Sequence, residues 1–293
     1  MKALLGFGGP EYRTGLVLSG GGARGFAHAG AIRALNECGI YPDIIAGVSA
    51  GSVAAVLYAA GIRPERMVEL FESSHFSDFC EFGMPKDGFF NLNRFRKFLR
   101  ANIEFANLED LPIKTLVGAT DLDNGRKVMF ETGPLAERVA ASCSIPIVFK
   151  PVRIDGIRYV DGGVLHNLPA WSIRHRCKYL IGINCSPLIN RSVGNSLIDI
   201  AMRSYELMAK TNVIGDMELC DIVIRNEEIA RYKVFNLRQI QKVYESGYND
   251  TMTFLLSHGF QRVTAAQSST SESLSNAANQ NSSAMSETKT TEE

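Results

Sequence analysis

The sequence has no net charge, no long apolar run and no paired cysteines, and each absence removes a class of function. Its 31 Lys and Arg are matched by 31 Asp and Glu. No overall field therefore draws the chain to nucleic acid or to an anionic membrane, and any such contact has to come from a local patch. No segment reaches the roughly eighteen apolar residues of a membrane-spanning helix; the apolar stretch that begins at Ser49 stops at Gly61. The opening MKALLGFGGPEYRT has an apolar run broken by Gly and Pro, too short for the core of a secretory signal. The six cysteines are scattered, with no C-x-x-C pair and no His at metal-ligand spacing. That pattern points to reduced thiols in a cytoplasmic setting, with neither a disulfide framework nor a metal centre expected.

What is present describes one folded α/β domain. Of 293 residues, 45% are hydrophobic and 21% charged, enough to bury a sizeable core. From about Thr14, short apolar runs alternate with helical patterns: GLVLS, a helix from Gly25 to Cys38, DIIAGV, and a helix from Ser49 to Ala60. Alternation of this kind predicts βαβ units in a three-layer α/β/α sandwich with a largely parallel central sheet. Further strands are expected at 113–122, 126–131, 147–154, 179–185 and 220–225, and helices at Ser196 to Met217 and Asn236 to His258. The division expected is an extension at 1–13, a domain at 14–262 and a tail at 263–293. The tail has no aromatic residue and is mostly Ser, Thr, Asn, Ala and Glu, too polar to offset its ordering entropy, so disorder is predicted there.

The most informative stretch is Gly47-Val48-Ser49-Ala50-Gly51, a G-x-S-x-G between a predicted strand and an apolar helix. In a nucleophile elbow the serine occupies a strained strand-to-helix turn, and Gly47 and Gly51 keep Cβ atoms away from the neighbouring strand and helix. The plainer reading makes Ser49 a helix N-cap. Upstream, another strand enters a helix through Gly20-Gly21-Gly22-Ala23-Arg24-Gly25. Its N–H groups fit either a dinucleotide pyrophosphate, through the G-x-G-x-x-G of Gly20, Gly22 and Gly25, or an oxyanion hole. The dinucleotide reading needs an acid at the end of the second strand, and Asp43 begins that strand instead. The oxyanion reading takes Gly20, Gly21, Gly22, Arg24 and Ala50, with the N–H groups of Gly21 and Gly22 acting together with that of Ala50, and with Arg24 either adding positive charge or capping structure.

Read together, these blocks resemble the patatin-like phospholipase family, whose pattern is G-G-G-x-R/K-G, G-x-S-x-G and D-G-G/A. The third element stands here as Asp161-Gly162-Gly163, and the family's A-S-x-x-x-P before it as Ala141-Ser142-Cys143-Ser144-Ile145-Pro146. The resemblance covers roughly residues 14 to 185. It implies a patatin-like fold and a Ser–Asp dyad, with Ser49 attacking a lipid or acyl ester and Asp161 taking its proton, and with no cofactor. Phospholipids or lysophospholipids are the implied substrates. By itself, Asp161-Gly162 reads as a hairpin turn.

Three other readings remain alongside. A Ser-Asp-His order would draw on His166, His175 or His258, with His28 a packed residue beside the glycine loop. Ser142, Asn167 and Pro169 suit turn and cap duties. The fold could also serve as a non-enzymatic regulator. For substrate, Phe76, Phe79, Phe82, Met84, Phe89 and Phe90 supply an apolar wall for an acyl chain. The following helix sets Leu92, Phe95 and Leu99 on one face, with Arg94, Lys97 and Arg100 around the rest. That helix either packs on the sheet or makes peripheral contact with anionic headgroups.

Overall fold

The computed structural model describes residues 9–83, 88–187 and 193–263; Met84 and nearly all of the 263–293 tail lie outside them. The chain runs through β1 (Tyr12–Leu18), α1 (Phe26–Glu37), β2 (Ile44–Val48), α2 (Ala50–Ala59), α3 (Pro64–Glu72), the short strands β3 (Glu81–Phe82) and β4 (Phe90–Asn91), and α4 (Asn93–Asn102). It continues with β5 (Lys114–Asp121), β6 (Arg126–Phe130), α5 (Leu135–Ser142), β7 (Val152–Ile154), β8 (Ile157–Asp161), α6 (Ala170–Ile173) and β9 (Cys177–Asn184). It closes with α7 (Leu197–Thr211), α8 (Ile214–Glu218), β10 (Ile222–Arg225) and α9 (Ile240–Ser257).

Strand residues alternate between two cores, as the pleat requires. Leu16, Leu18, Ile45, Ile181 and Ile183 pack on one face with residues of α1, α2 and α9, while Val17, Ile44, Ala46 and Leu180 pack on the other with α6. The result is a mixed, mostly parallel sheet covered by helices on both sides. Its order is β10-β9-β1-β2-β5-β8-β7, with β6 paired to β5.

β5 joins a parallel half of the sheet to an antiparallel half. Val117 and Gly118 pair with both β2 and β6, and Ala119, Thr120 and Asp121 pair with both β6 and β8. A strand has two edges, so β2 and β8 share one of them. β2 runs parallel to β5 and ends with Val48 opposite Gly118; β8 runs antiparallel and ends with Asp161 opposite Ala119. The two strands approach head-on, and their carboxyl ends meet.

Three local expectations are corrected. The strand expected at 147–154 survives only as β7, because Pro146 and Pro151 interrupt it; Ile147 and Val148 instead accept hydrogen bonds from Phe89 and Phe90. The Asp-Gly hairpin lies at Asp155-Gly156, both at positive φ, and returns the chain along β8, a strand the sequence reading did not mark. The helix expected from Ser196 to Met217 breaks at Asn212, whose side-chain amide bonds the Gly163 carbonyl at 3.0 Å. β1 also begins at Tyr12, two residues before the expected domain boundary.

Candidate active site at the meeting of two strands

Ser49 sits between β2 and α2 with φ 52° and ψ −125°, a conformation costing about 1–3 kcal/mol for a residue with a side chain. A Cβ on Gly47 would strike the Gly51 carbonyl, and one on Gly51 would strike that of Leu18, so the elbow closes only with glycine on both sides. The Ser49 side chain makes no capping hydrogen bond, which sets aside the N-cap reading. The backbone is held instead by Ser142. Its hydroxyl accepts the Ser49 N–H at 2.8 Å and donates to the Gly118 carbonyl at 2.6 Å.

Asp161 is fully buried. Its N–H bonds the Ser144 carbonyl at 2.9 Å, and its Oδ1 accepts the Gly163 N–H at 2.8 Å. Oδ2 makes no hydrogen bond among the described residues. Burial pushes the carboxyl pKa up to about 6, against the opposing pull of the nearby Ser49 hydroxyl, the Gly163 N–H and the Tyr205 phenol. Ser142 and Ser144, two residues apart, thus tie one backbone each from the two halves of the site. Gly162 lies against the Gly118 carbonyl and Gly163 against the Tyr205 hydroxyl, where a Cβ would collide.

The glycine loop lies beside the elbow. Gly20 is not an anion donor: its N–H goes to the backbone and side-chain oxygens of Asn167, at 3.2 and 3.1 Å. Gly22 has φ 58°, Gly25 packs against Ala50, and Ala23 donates to the Val234 carbonyl. The N–H groups of Gly21, Gly22 and Ala50 have no acceptor among the described residues. Ala50 also opens α2, where the helix dipole favours negative charge. Arg24 is buried with Nε and Nη2 on the carbonyls of Tyr232 and Ala230, so it anchors the 228–232 turn. Asp43 bonds the Thr14 N–H at the opening of β2, at the end of the sheet away from the loop, as the dinucleotide argument required.

No histidine bonds Ser49 or Asp161 among the described residues. His166 pairs with Asp216 at 2.9 Å, His258 bonds Phe254, and His28 is buried on the Ser19 carbonyl with its pKa pushed down to about 4 by burial. Asn167 proves part of the site's frame, as does Asn212, whose Oδ1 accepts the Asn167 N–H at 2.9 Å. Neither asparagine carries a sequence signal, because each acts through contacts distant in the chain. Pro169 stands directly before α6.

An apolar cavity of about 140 Å³ opens at Ser49, walled by Val53, Leu57, Met67, Phe71, Phe76, Phe79, Leu92 and Phe95. The expected wall is thus partly present, through Phe76 and Phe79, while Phe82 is exposed. Leu92, Phe95 and Leu99 are buried, and Arg94 and Arg100 pair with Glu81 and Glu137; α4 packs its apolar face inward. A second recess of about 20 Å³ reaches Ser49 and is lined by Gly21, Arg24, Tyr205, Glu206 and Lys210.

Comparison with known proteins finds a matching family model and several relatives. The family model for patatin-like phospholipases matches residues 16–173. An uncharacterized NTE family protein of Mycobacterium tuberculosis is 37% identical over 165 residues, 55% of this chain and 46% of that protein. Lysophospholipase NTE1 of Candida albicans is 30% identical over 189 residues, 62% of this chain and 14% of that protein. The chain therefore spans less than half the length of these relatives. Among solved structures, VipD from Legionella pneumophila aligns with a TM-score of 0.49 at 16% identity, over 85% of this chain and 67% of that one.

Proposed function

The chain belongs to the patatin-like phospholipase family, and we propose that it is a serine hydrolase that cleaves acyl esters of lipids through Ser49 and Asp161. The carrying observation is the juxtaposition of a strained, uncapped serine, which opens onto an apolar cavity, with a fully buried carboxyl whose pKa the serine hydroxyl pulls on. Ser49 Oγ attacks the ester carbonyl while Asp161 takes its proton. The N–H groups of Gly21, Gly22 and Ala50 receive the oxyanion. Collapse expels the alcohol, which leaves with the proton held on Asp161. Water then attacks the acyl-enzyme, giving its proton to Asp161; the bond from Ser49 Oγ to the acyl carbon breaks, Oγ takes the proton back from Asp161, and the fatty acid departs. A carboxylate with a pKa near 6 is a far better base at neutral pH than one near 4.

The acyl chain occupies the apolar cavity. Phospholipids or lysophospholipids are the proposed substrates, resting on family membership and on the NTE1 lysophospholipases as relatives. The six free cysteines support a reducing, cytoplasmic setting. We assign the hydrolase activity to one domain over 14–262.

The test is fluorophosphonate labelling of wild type and Ser49→Ala, with turnover of a medium-chain p-nitrophenyl ester. Label and turnover in wild type, both absent in Ser49→Ala, are expected. Folded wild type that neither labels nor turns over would replace this reading with that of a non-enzymatic regulator.

A further inference from the structure

α7 buries two charged residues and leaves an apolar stripe exposed. A surface helix normally turns its charges to water and its apolar stripe to the core. At 100° per residue, Arg203, Glu206 and Lys210 fall on one side of α7, and Glu206 and Lys210 are buried in the recess beside Ser49. Asp199 folds back on the helix cap, where it bonds Ser196. The arc opposite Met202, Tyr205 and Ala209 carries Leu197, Ile200, Ser204, Leu207, Met208 and Thr211, with no charge. Leu197 is 75% exposed, Ile200 54%, Leu207 41% and Met208 43%. Single exposed apolar residues are ordinary; an uncharged stripe along four turns of one helix marks a surface that something apolar covers.

The same helix also forms a wall of the site. Met202, Tyr205, Glu206, Ala209 and Lys210 line the recess that reaches Ser49, and the Tyr205 hydroxyl lies over Gly163. The outward stripe is therefore one helix thickness from the nucleophile.

We propose that the outer face of α7 docks on the surface of a phospholipid assembly, holding the recess at Ser49 one helix away from the lipid from which its substrate comes. This rests on the reading of the protein as a lipid hydrolase. The surface is recognised by apolar contact and not by charge, because the stripe is uncharged and the cations of α7 face inward or toward Glu206. Lipid docking thus belongs to α7 and not to α4, whose apolar residues are already buried.

The experiment is co-sedimentation of the full chain with vesicles of diether phosphatidylcholine, which resist ester hydrolysis, in low and high salt. Wild type is expected to bind with little salt dependence. Ile200→Gln/Leu207→Gln/Met208→Gln is expected to lose at least about tenfold in vesicle affinity while turning over p-nitrophenyl butyrate at the wild-type rate. Arg94→Gln/Lys97→Gln/Arg100→Gln, a control for surface charge, is expected to bind as wild type does. The proposal is overturned if wild type does not bind, if the α7 variant binds unchanged, or if binding requires anionic lipid and is lost in salt. It is also overturned if sedimentation velocity finds a wild-type dimer that the α7 variant splits without any change in vesicle binding. Loss of vesicle binding in the α7 variant of a protein that never hydrolyses the soluble ester would uphold the docking face and reject only the hydrolase reading.

Discussion

The elbow at Ser49 and the turn at Asp161 reach the same point by opposite means. The elbow is local: β2, the strained serine and α2 are contiguous, and the tight approaches of Gly47 and Gly51 lie within the motif or against the adjoining strand. The turn is assembled from afar. Asp161 arrives on an antiparallel strand, its N–H bonds Ser144, and its neighbour Gly163 is held by Asn212 and faced by Tyr205 from α7. A local device can hold strain, since its cost is met by a few adjacent contacts. A buried carboxyl instead needs the whole surrounding fold to keep water out.

The largest way to break this comparison is Asp161→Asn, which keeps the shape and the Gly163 hydrogen bond but removes the proposed base. Ester turnover is expected to fall by about 10³-fold or more, measured as kcat/KM. Stability should move the other way. The folded pKa of about 6 lies above the ordinary carboxylate value of 3.8, so the folded state holds the proton more tightly than the unfolded one. The group is least costly below pH 3.8; stability then falls as pH rises toward 6 and is level above it. The carboxylate costs about 3 kcal/mol at pH 8, and Asp161→Asn is expected to raise the urea midpoint there. An unchanged or lower midpoint would contradict the burial argument.

A smaller effect comes from pH alone. In wild type, kcat/KM for a neutral ester is expected to be flat above pH 7 and to drop about tenfold per pH unit below 6, as Asp161 takes up its proton. A profile unchanged to pH 4.5 would remove Asp161 as base.

The smallest expected effect is at Ser142, which supports the elbow side. Ser142→Ala leaves the Ser49 N–H and the Gly118 carbonyl without their shared partner, costing about 1–3 kcal/mol of stability. Loss of alignment is expected to lower kcat about tenfold with KM little changed. Equal loss in KM and none in kcat would mean that Ser142 does not position the nucleophile.

Much of this was legible in the chain. The elbow, the glycine loop and the D-G-G block fall where their motifs stand, because each is a short run whose backbone conformation depends on its own glycines. Gly20 and Arg24 were legible as motif members but not in their duties, since their partners, Asn167 and the carbonyls of Ala230 and Tyr232, lie about 150 to 200 residues away. β8 was missed because it is five residues long and carries Arg158 and Asp161, and its pairing with β5 supplies what so short a run lacks.

The sequence by itself determined the α/β architecture and the local chemistry of Ser49, for strand, turn and helix there follow one another within bonding reach. Only the tertiary structure decided that β8 meets β2 head-on, that Asp161 loses its water and gains a raised pKa, and that α7 buries Glu206 and Lys210. Hydrophobic period reveals that a helix has two faces, but which one meets the protein is set by the neighbours it packs against.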